Sequence, residues 1–239
     1  MQRDPLARRV ALRRFLVIEG LIGVGKTTLC KIIQEEWDAR LVLEPWAENP
    51  FLASFYEDPE RFAFPAQMFY LASRFKQQQN IRQTDLFHGM VVADYLFEKD
   101  RLFAQQTLEG NELELYDQFA GLLGDALAKP DLILFLDAPT DVILNRIARR
   151  AIESEQVIQG DYLDSLRERY YALWKTYTDA PVRVVHTETI DYVNNPEDRQ
   201  AILEQVRGWL EPQNDPGPPA SDPEWEGQQT LFATESNQD

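Results

Sequence analysis

A glycine-rich segment that ends in a lysine and two threonines spans residues 20–28. Residues 20–27 read GLIGVGKT and fit the pattern G-x-x-x-x-G-K-[S/T]. In such a segment the glycines let successive backbone N–H groups point at a phosphate, and the following helix adds partial positive charge. The lysine reaches the outer phosphates of a nucleotide, and the first threonine can coordinate Mg2+. The pattern predicts that these residues bind a nucleoside triphosphate: Gly20, Gly23, Gly25, Lys26, Thr27 and Thr28.

Two carboxylates could serve the same chemistry, because each comes directly after a short apolar run. Glu44 follows residues 40–43 and precedes a proline, and Asp94 follows residues 90–93. A carboxylate at the first position could take a proton from a substrate hydroxyl, although a solvated loop carboxylate or a helix N-cap would give the same pattern. At the second position a carboxylate could hold Mg2+ on the nucleotide, which we favour over a structural role.

These candidate residues must be positioned by the strands and helices around them. Five short apolar runs are typical of buried strands: residues 15–18, 40–43, 90–93, 132–136 and 182–185. Helical periodicity is found in residues 26–37, 65–83, 111–128, 140–150, 162–178 and 197–210. Alternating strands and helices predict an α/β fold, with a mostly parallel five-stranded sheet and helices on both faces. Ligands bind at the carboxyl ends of such strands, where the candidate residues lie.

The helix predicted after the fourth strand carries three arginines, Arg146, Arg149 and Arg150. Basic residues on one helix usually form a solvated face. Close to a triphosphate site they would instead form a lid that neutralises a transferring phosphoryl group.

The composition narrows the class of protein. The chain has 239 residues, of which 44% are hydrophobic, and this suits one large α/β domain with or without tails. The net charge of −16 argues against binding to duplex nucleic acid. No apolar run reaches the ~20 residues of a membrane span, and the basic N-terminal arm lacks the apolar centre of a signal peptide. A single cysteine excludes an internal disulfide, so we expect a cytoplasmic protein.

Three regions are expected along the chain: a basic arm at residues 1–14, a folded domain at 15–210 and an acidic tail at 211–239. The tail is rich in Pro, Gly, Asp and Gln, so it is predicted to be disordered. Within it, residues 228–232, QQTLF, resemble the short peptide by which bacterial proteins dock on the replication sliding clamp. Because the match is so short, clamp docking is only an open alternative for the tail.

Further motifs follow in a fixed order along the folded domain. Residues 56–67, YEDPERFAFPAQ, fit the block Y-x-x-P-x-R-[WF]-x-F-x-x-Q, and Arg74 follows it. Asp94 and Asp100 then lie in the segment ADYLFEKDRLFA, and Glu155 follows the arginines of the lid-like helix. The whole series resembles the deoxynucleoside kinase family, which includes deoxycytidine, deoxyguanosine and deoxyadenosine kinases. The resemblance covers roughly residues 14–210 and implies a P-loop kinase fold with an arginine-bearing lid.

The resemblance implies a reaction and a set of roles. ATP and Mg2+ would be used to phosphorylate the 5′-hydroxyl of a deoxynucleoside in nucleotide salvage, and the enzyme would be a homodimer. Glu44 would be the general base, and Asp94 and Thr27 would lie beside Mg2+. The 3′-hydroxyl would be held by Tyr56 and Glu155. The base edge would be read by Gln67, Arg74 and Asp100. The phosphates would be contacted by Lys26, Arg146 and Arg150.

The residue at position 100 bears on the choice of base. Members of the family that prefer thymidine tend to lack a carboxylate there, so Asp100 favours a purine or cytosine. Arg74 and Asp100 together would present a donor fork beside an acceptor. We therefore expect deoxyadenosine or deoxyguanosine as the substrate, with deoxycytidine as the alternative.

The chain departs from the family pattern at two positions. The family often has an acidic-Arg-Ser triplet after the third strand, whereas residues 94–96 are Asp-Tyr-Leu here. The lid usually carries a further arginine where this chain has Ile152. Each departure removes a positive charge from a site whose catalysis is largely electrostatic. Arg101 or Arg149 could compensate.

Two other functions stay open. A nucleoside monophosphate kinase shares the fold, but it usually has an arginine before the Glu-Pro pair and glycines after it, where Leu43 and Trp46 stand here. A catalytically weak subunit that partners an active kinase is the other alternative, and Tyr95 and Ile152 motivate it. A GTPase switch is disfavoured, because the chain has no N-K-x-D motif.

Overall fold

The computed structural model describes residues 14–44, 48–82, 89–124, 128–152 and 155–211. Within these ranges, the side chains of Tyr56, Asn80 and Arg82 are not described. Three features named in the predictions therefore lie outside the described residues. They are residues 1–13 of the basic arm, the clamp-like peptide at 228–232 of the tail, and Trp46.

A five-stranded sheet confirms the predicted α/β fold. Its strands are β1 (Arg14–Gly20), β2 (Arg40–Val42), β3 (Met90–Ala93), β4 (Leu132–Asp137) and β5 (Val182–His186). The sheet order is β2-β3-β1-β4-β5. Strand β1 pairs in parallel with β3, β2 with β3, and β4 with β5. Every residue of β4 is buried, as expected for a strand that reads as a continuous apolar run.

The helices come between and after these strands. Their bounds are α1 (Lys26–Trp37), α2 (Leu52–Glu57), α3 (Pro59–Arg82), α4 (Lys99–Thr107), α5 (Gly110–Gly124), α6 (Thr140–Arg150), α7 (Gly160–Thr176) and α8 (Pro196–Leu210). Helices α2 and α4 were not predicted from the sequence, because each is too short to show a clear 3.6-residue period.

Helix α3 begins earlier than the sequence pattern predicts. The prediction placed its start at Pro65, since proline is favoured in the first turn of a helix. In the structure Pro65 lies inside the helix, which begins at Pro59. The side chain of Asp58 accepts a hydrogen bond from the backbone N–H of Arg61 over 3.3 Å, so Asp58 caps the true start. The prediction for the start of this helix was therefore wrong.

The chain divides into two compact units. Among the described residues, the first unit comprises 14–18 and 29–131. Its core includes Leu71 of α3, Phe97 after β3 and Tyr116 of α5. This unit holds Glu44, Asp94 and the residues expected to read the base.

The second unit comprises 19–28 and 132–211 of the described residues. An aromatic cluster forms part of its core, where the ring of Phe135 on β4 lies 5.1 Å from that of Tyr170 and 5.7 Å from that of Trp174 on α7. This unit holds the glycine-rich loop and the arginines of α6.

Candidate active site

The glycine-rich loop joins the end of β1 to the start of α1. Gly20, Gly23 and Gly25 have φ angles of 146°, 83° and 115°, which residues with a side chain rarely adopt. The loop also lies close to its neighbours. A Cβ atom at Gly20 would come within 2.3 Å of the carbonyl oxygen of Leu136, and one at Gly23 within 2.5 Å of Ile147. Glycine is therefore required at these positions for the backbone to adopt this loop conformation.

The loop lysine is folded over the loop backbone. Its ammonium group donates to the carbonyl oxygens of Gly20 over 2.8 Å and Leu21 over 3.0 Å. Lys26 thus lies at the loop itself, where the sequence pattern predicts the contact with the outer phosphates.

A buried carboxylate fixes the start of the loop. Glu19 is fully buried and accepts hydrogen bonds from the backbone N–H of Gly20 over 3.1 Å and from the hydroxyl of Tyr170 over 2.9 Å. Sequence reasoning assigned no role to Glu19. A charged side chain at the end of an otherwise apolar strand is the sequence feature that could have indicated this supporting role.

Arg146 of α6 braces the same loop. Its guanidinium donates to the carbonyl oxygen of Val24 over 3.1 Å, to the Thr187 hydroxyl over 2.9 Å and to the Thr187 carbonyl oxygen over 2.6 Å. The predicted lid arginine therefore lies against the glycine-rich loop in the second unit.

A cavity of about 720 Å³ lies beside the loop in the second unit. It is lined by loop residues Gly23 to Gly25, by α6 residues that include Arg146 and Arg149, and by residues 188–194 after β5. Its volume is in the range of small-molecule sites. Sequence reasoning missed the segment 188–194, which carries no motif.

Arg150 and Glu155 form an ion pair in which the nearest oxygen and nitrogen atoms are 3.5 Å apart. Arg150 is largely exposed, and Glu155 is mostly buried. The second carboxylate oxygen of Glu155 is buried and has no hydrogen-bond partner among the described residues. Tyr56 lies on α2, but its side chain is outside the described residues. The predicted pairing of Tyr56 and Glu155 on a sugar hydroxyl therefore stays a prediction.

In the first unit, Glu44 lies at the centre of a cluster of charges. One of its carboxylate oxygens contacts the guanidinium of Arg74, and the other accepts a hydrogen bond from the ammonium of Lys99 over 2.9 Å. Arg74 also forms an ion pair with Asp100. The backbone N–H of Glu44 donates to Asp94 over 2.7 Å. The structure thus brings together four of the predicted site residues and adds Lys99.

The cluster keeps Glu44 ionised. Burial alone would raise the pKa of Glu44, but the positive charges of Arg74 and Lys99 and their hydrogen bonds outweigh it. The pKa therefore lies far below its ordinary value of 4.5. At neutral pH, Glu44 is a carboxylate that can only accept hydrogen bonds.

Asp100 of this cluster and Gln67 of α3 each have a buried acceptor oxygen that makes no hydrogen bond to the described residues. Gln67 donates through its amide nitrogen to the Thr107 hydroxyl over 3.1 Å, whereas its amide oxygen is buried without a hydrogen-bond partner among the described residues. Asp100 is 1% exposed, and its Oδ2 atom likewise has no hydrogen-bond partner among them. Buried acceptors are costly to leave unpaired, so both side chains are suited to meet donors on a ligand.

Tyr95, the first departure from the family pattern, has a structural role in this chain. Tyr95 is fully buried, and its hydroxyl donates over 2.6 Å to Gln77, whose amide nitrogen donates to the carbonyl oxygen of Leu43 over 3.2 Å. Tyr95 thus supports the backbone just before Glu44. Arg101, one of the two arginines considered as compensation, forms an ion pair with Asp117 over 2.9 Å and is 59% exposed. The structure does not bring Arg101 to Glu44.

Comparison with known proteins decides the family. The family model described as deoxynucleoside kinase matches residues 16–211. The chain belongs to the deoxynucleoside kinase family. It is 33% identical to a deoxyguanosine kinase of Bacillus subtilis (strain 168) over 198 residues, which cover 81% of this chain and 96% of that protein. It is 28% identical to a deoxyadenosine/deoxycytidine kinase of the same organism, over 80% of this chain and 90% of that protein.

Solved structures support the same fold. A deoxyadenosine kinase from M. mycoides with bound dATP matches with a TM-score of 0.69 and 21% sequence identity. The match covers 82% of this chain and all of that one. The family model and the Bacillus subtilis relatives, rather than this likeness in fold, show that the chain is a deoxynucleoside kinase, an enzyme that phosphorylates deoxynucleosides.

Two features are absent from the described residues, a membrane-spanning helix and a metal-ligand cluster. In the ranges that the structure describes, no helix is long and apolar enough to cross a membrane. Within those same ranges, no group of three or more His, Cys, Asp or Glu side chains could hold a metal ion by itself.

Proposed function

We propose that this kinase uses ATP and Mg2+ to phosphorylate the 5′-hydroxyl of a purine deoxynucleoside, deoxyguanosine or deoxyadenosine, with deoxycytidine as a further substrate. The observation that supports this most directly is the charge cluster of the first unit. Glu44 is ionised and fixed by Arg74 and Lys99, and Arg74 also pairs with Asp100. One cluster thus contains both a hydroxyl acceptor and two of the three residues expected to read a base, Arg74 and Asp100.

Glu44 is the proposed general base. Its carboxylate accepts the proton of the 5′-hydroxyl and orients the oxygen for attack. A low pKa makes Glu44 a weak base, but the transition state of phosphoryl transfer is loose and needs little proton removal before it forms. Orientation of the hydroxyl is therefore the larger contribution of this residue.

The proposed base specificity depends on unused acceptors. Gln67 and Asp100 each have a buried oxygen without a hydrogen-bond partner among the described residues. Guanine, adenine and cytosine carry exocyclic amino groups that can donate to such oxygens, whereas thymine does not. The 33% identity to a deoxyguanosine kinase also supports a purine. Tyr56 and Glu155 are the proposed contacts of the 3′-hydroxyl.

ATP is the proposed donor, and its phosphates are bound by the loop of Gly20, Gly23 and Gly25 with Lys26, Thr27 and Thr28. The positive φ angles of the three glycines fit this role. Arg146 and Arg150 are the proposed lid residues that neutralise the phosphates. Thr27 and Asp94 are the proposed Mg2+ ligands, and the ion would supply charge neutralisation on the phosphoryl oxygens.

A phosphoryl-transfer assay tests the proposal. Purified protein is given labelled ATP and Mg2+ with deoxyadenosine, deoxyguanosine, deoxycytidine and thymidine in separate reactions. We expect the largest product signal with a purine deoxynucleoside and the smallest with thymidine. Lys26→Ala and Glu44→Gln should each lower turnover roughly 100-fold or more.

Matched controls separate chemistry from general effects of mutation. Lys31→Ala changes an exposed lysine of the same helix as Lys26, and Glu60→Gln changes an exposed carboxylate of α3. Both controls should keep wild-type turnover. Product formation at wild-type rates in Glu44→Gln, or no product with any of the four deoxynucleosides, would contradict the proposal.

A homodimer is also proposed, and α5 is the element that supports it. Leu115, Phe119 and Leu122 lie on one face of this helix and are 41%, 43% and 79% exposed. Exposed apolar side chains at such spacing often mark an interface. Analytical ultracentrifugation of wild-type protein and Leu122→Glu tests this, and a monomeric wild-type protein would overturn it.

A further inference from the structure

The first residue of helix α4 is a buried lysine. Lys99 is 5% exposed, and its ammonium lies 2.9 Å from Oε2 of Glu44 and 5.4 Å from the centre of the Phe103 ring. Lysine is rarely buried, because removing an ammonium from water is costly unless a partner of opposite charge compensates. The contact with Glu44 offsets part of the cost of burying Lys99.

The two cations on Glu44 are not equivalent. Arg74 contacts Glu44 through one terminal nitrogen and Asp100 through the other, so its charge is shared between two carboxylates. Lys99 contacts the opposite oxygen of Glu44 from a different helix. The carboxylate is thus held at both oxygens, which fixes its rotation as well as its charge.

We propose that Lys99 is a positioning residue for Glu44, and that it supplies the positive charge that an arginine supplies in the acidic-Arg-Ser triplet common in the family. The inference rests on the proposed role of Glu44 as general base. It assigns to Lys99 the compensation that the sequence suggested for Arg101 or Arg149. Lys99 orients the carboxylate of the base, and it does not itself need to touch the substrate.

The surroundings of Tyr95 explain why the charge comes from Lys99. Tyr95 holds the triplet position of the arginine, but it is fully buried and hydrogen-bonded to Gln77. The ring of Tyr95 also lies 5.6 Å from the guanidinium carbon of Arg74. An uncharged aromatic side chain at this position packs against Arg74 without adding another cation, and Lys99 reaches Glu44 from four residues farther along the chain.

The experiment compares three variants with the wild-type enzyme. Lys99→Met should lower kcat roughly 10-fold to 100-fold with a smaller change in the KM of the deoxynucleoside. Lys99→Arg should restore most of kcat, because it returns a cation. Arg101→Met removes one positive charge from the same helix at an exposed ion pair, and it should change neither kcat nor KM.

Three results would overturn the inference. These are a Lys99→Met enzyme with wild-type kcat, an Arg101→Met enzyme with the same loss as Lys99→Met, and a Lys99→Arg enzyme that is folded but as slow as Lys99→Met. Circular dichroism of each variant checks folding. If Lys99→Met does not fold, Lys99→Gln, which keeps a hydrogen-bond donor, takes its place in the same comparison.

The outcomes separate this inference from the proposed function. A wild-type enzyme that transfers phosphate to none of the four deoxynucleosides would overturn the proposed function, whereas an active wild-type enzyme whose kcat is unchanged in Lys99→Met would overturn the role of Lys99.

Discussion

The hydroxyl of Tyr192 donates a hydrogen bond to the carbonyl oxygen of Gly25 over 3.3 Å. Tyr192 belongs to the segment after β5 that lines the cavity beside the glycine-rich loop. The contact is close enough that a Cβ atom at Gly25 would come within 2.2 Å of the same hydroxyl. The last glycine of the loop is therefore constrained twice, by its own φ angle of 115° and by a side chain from a distant part of the chain.

Gly25→Ala should weaken ATP binding by roughly 10-fold or more, because backbone strain of about 1 to 3 kcal/mol adds to the clash with Tyr192. Isothermal titration with a non-hydrolysable ATP analogue measures the change. Adding Tyr192→Phe removes the clashing oxygen but not the strain, so it should restore only part of the affinity. Gly121→Ala is the control, since a Cβ atom there meets nothing within 4 Å. Equal affinities in Gly25→Ala and the wild type would contradict this account.

Arg146→Met should lower both ATP affinity and stability, because it removes three hydrogen bonds between α6, the loop and Thr187. We expect a loss of about 1 to 3 kcal/mol in the free energy of unfolding, since hydrogen bonds from a charged group are involved. Urea unfolding measures it. Arg149→Met removes the same charge from an exposed position of the same helix and should leave the stability near that of the wild type. A similar loss of unfolding free energy in both variants would show that the positive charge, and not the three hydrogen bonds of Arg146, stabilises the fold.

The sequence predicted those parts of the site that depend on local order. The glycine-rich segment between a strand and a helix, and the carboxylates at strand ends, are set by residues close in the chain. Lys99 was missed because its partner, Glu44, is 55 residues away, and a lysine at the start of a short helix resembles an ordinary surface residue. The true start of α3 was missed because Pro65 resembles a first-turn proline, whereas the capping residue is Asp58. A contact distant in sequence decided the case of Lys99, whereas a local capping contact between Asp58 and Arg61 decided the start of α3.

Tyr95→Arg, which would restore the triplet of the family, should destabilise this chain. It places a third cation in a buried site that already holds Arg74 and Lys99, at a cost of about 2 kcal/mol or more. Tyr95→Phe loses only the hydrogen bond to Gln77 and should cost about 1 kcal/mol. Urea unfolding of both variants, together with kcat, tests this. A Tyr95→Arg enzyme that is both stable and faster than the wild type would contradict the prediction and the role assigned to Lys99.

The ionised state of Glu44 should appear in the pH dependence of stability. Its pKa is lowered in the folded protein from an ordinary value of 4.5, so its ion pairs stabilise the fold fully above that pH. As the pH falls below 4.5 towards the folded pKa, the unfolded chain takes up a proton first, and the stabilisation is lost. The difference in unfolding free energy between wild type and Glu44→Gln should therefore be constant near neutral pH and shrink progressively in acid. Glu60→Gln, at an exposed position of α3, should differ little from the wild type at any pH. A Glu44→Gln difference that stayed constant throughout the acid range would show that Arg74 and Lys99 do not lower the pKa of Glu44.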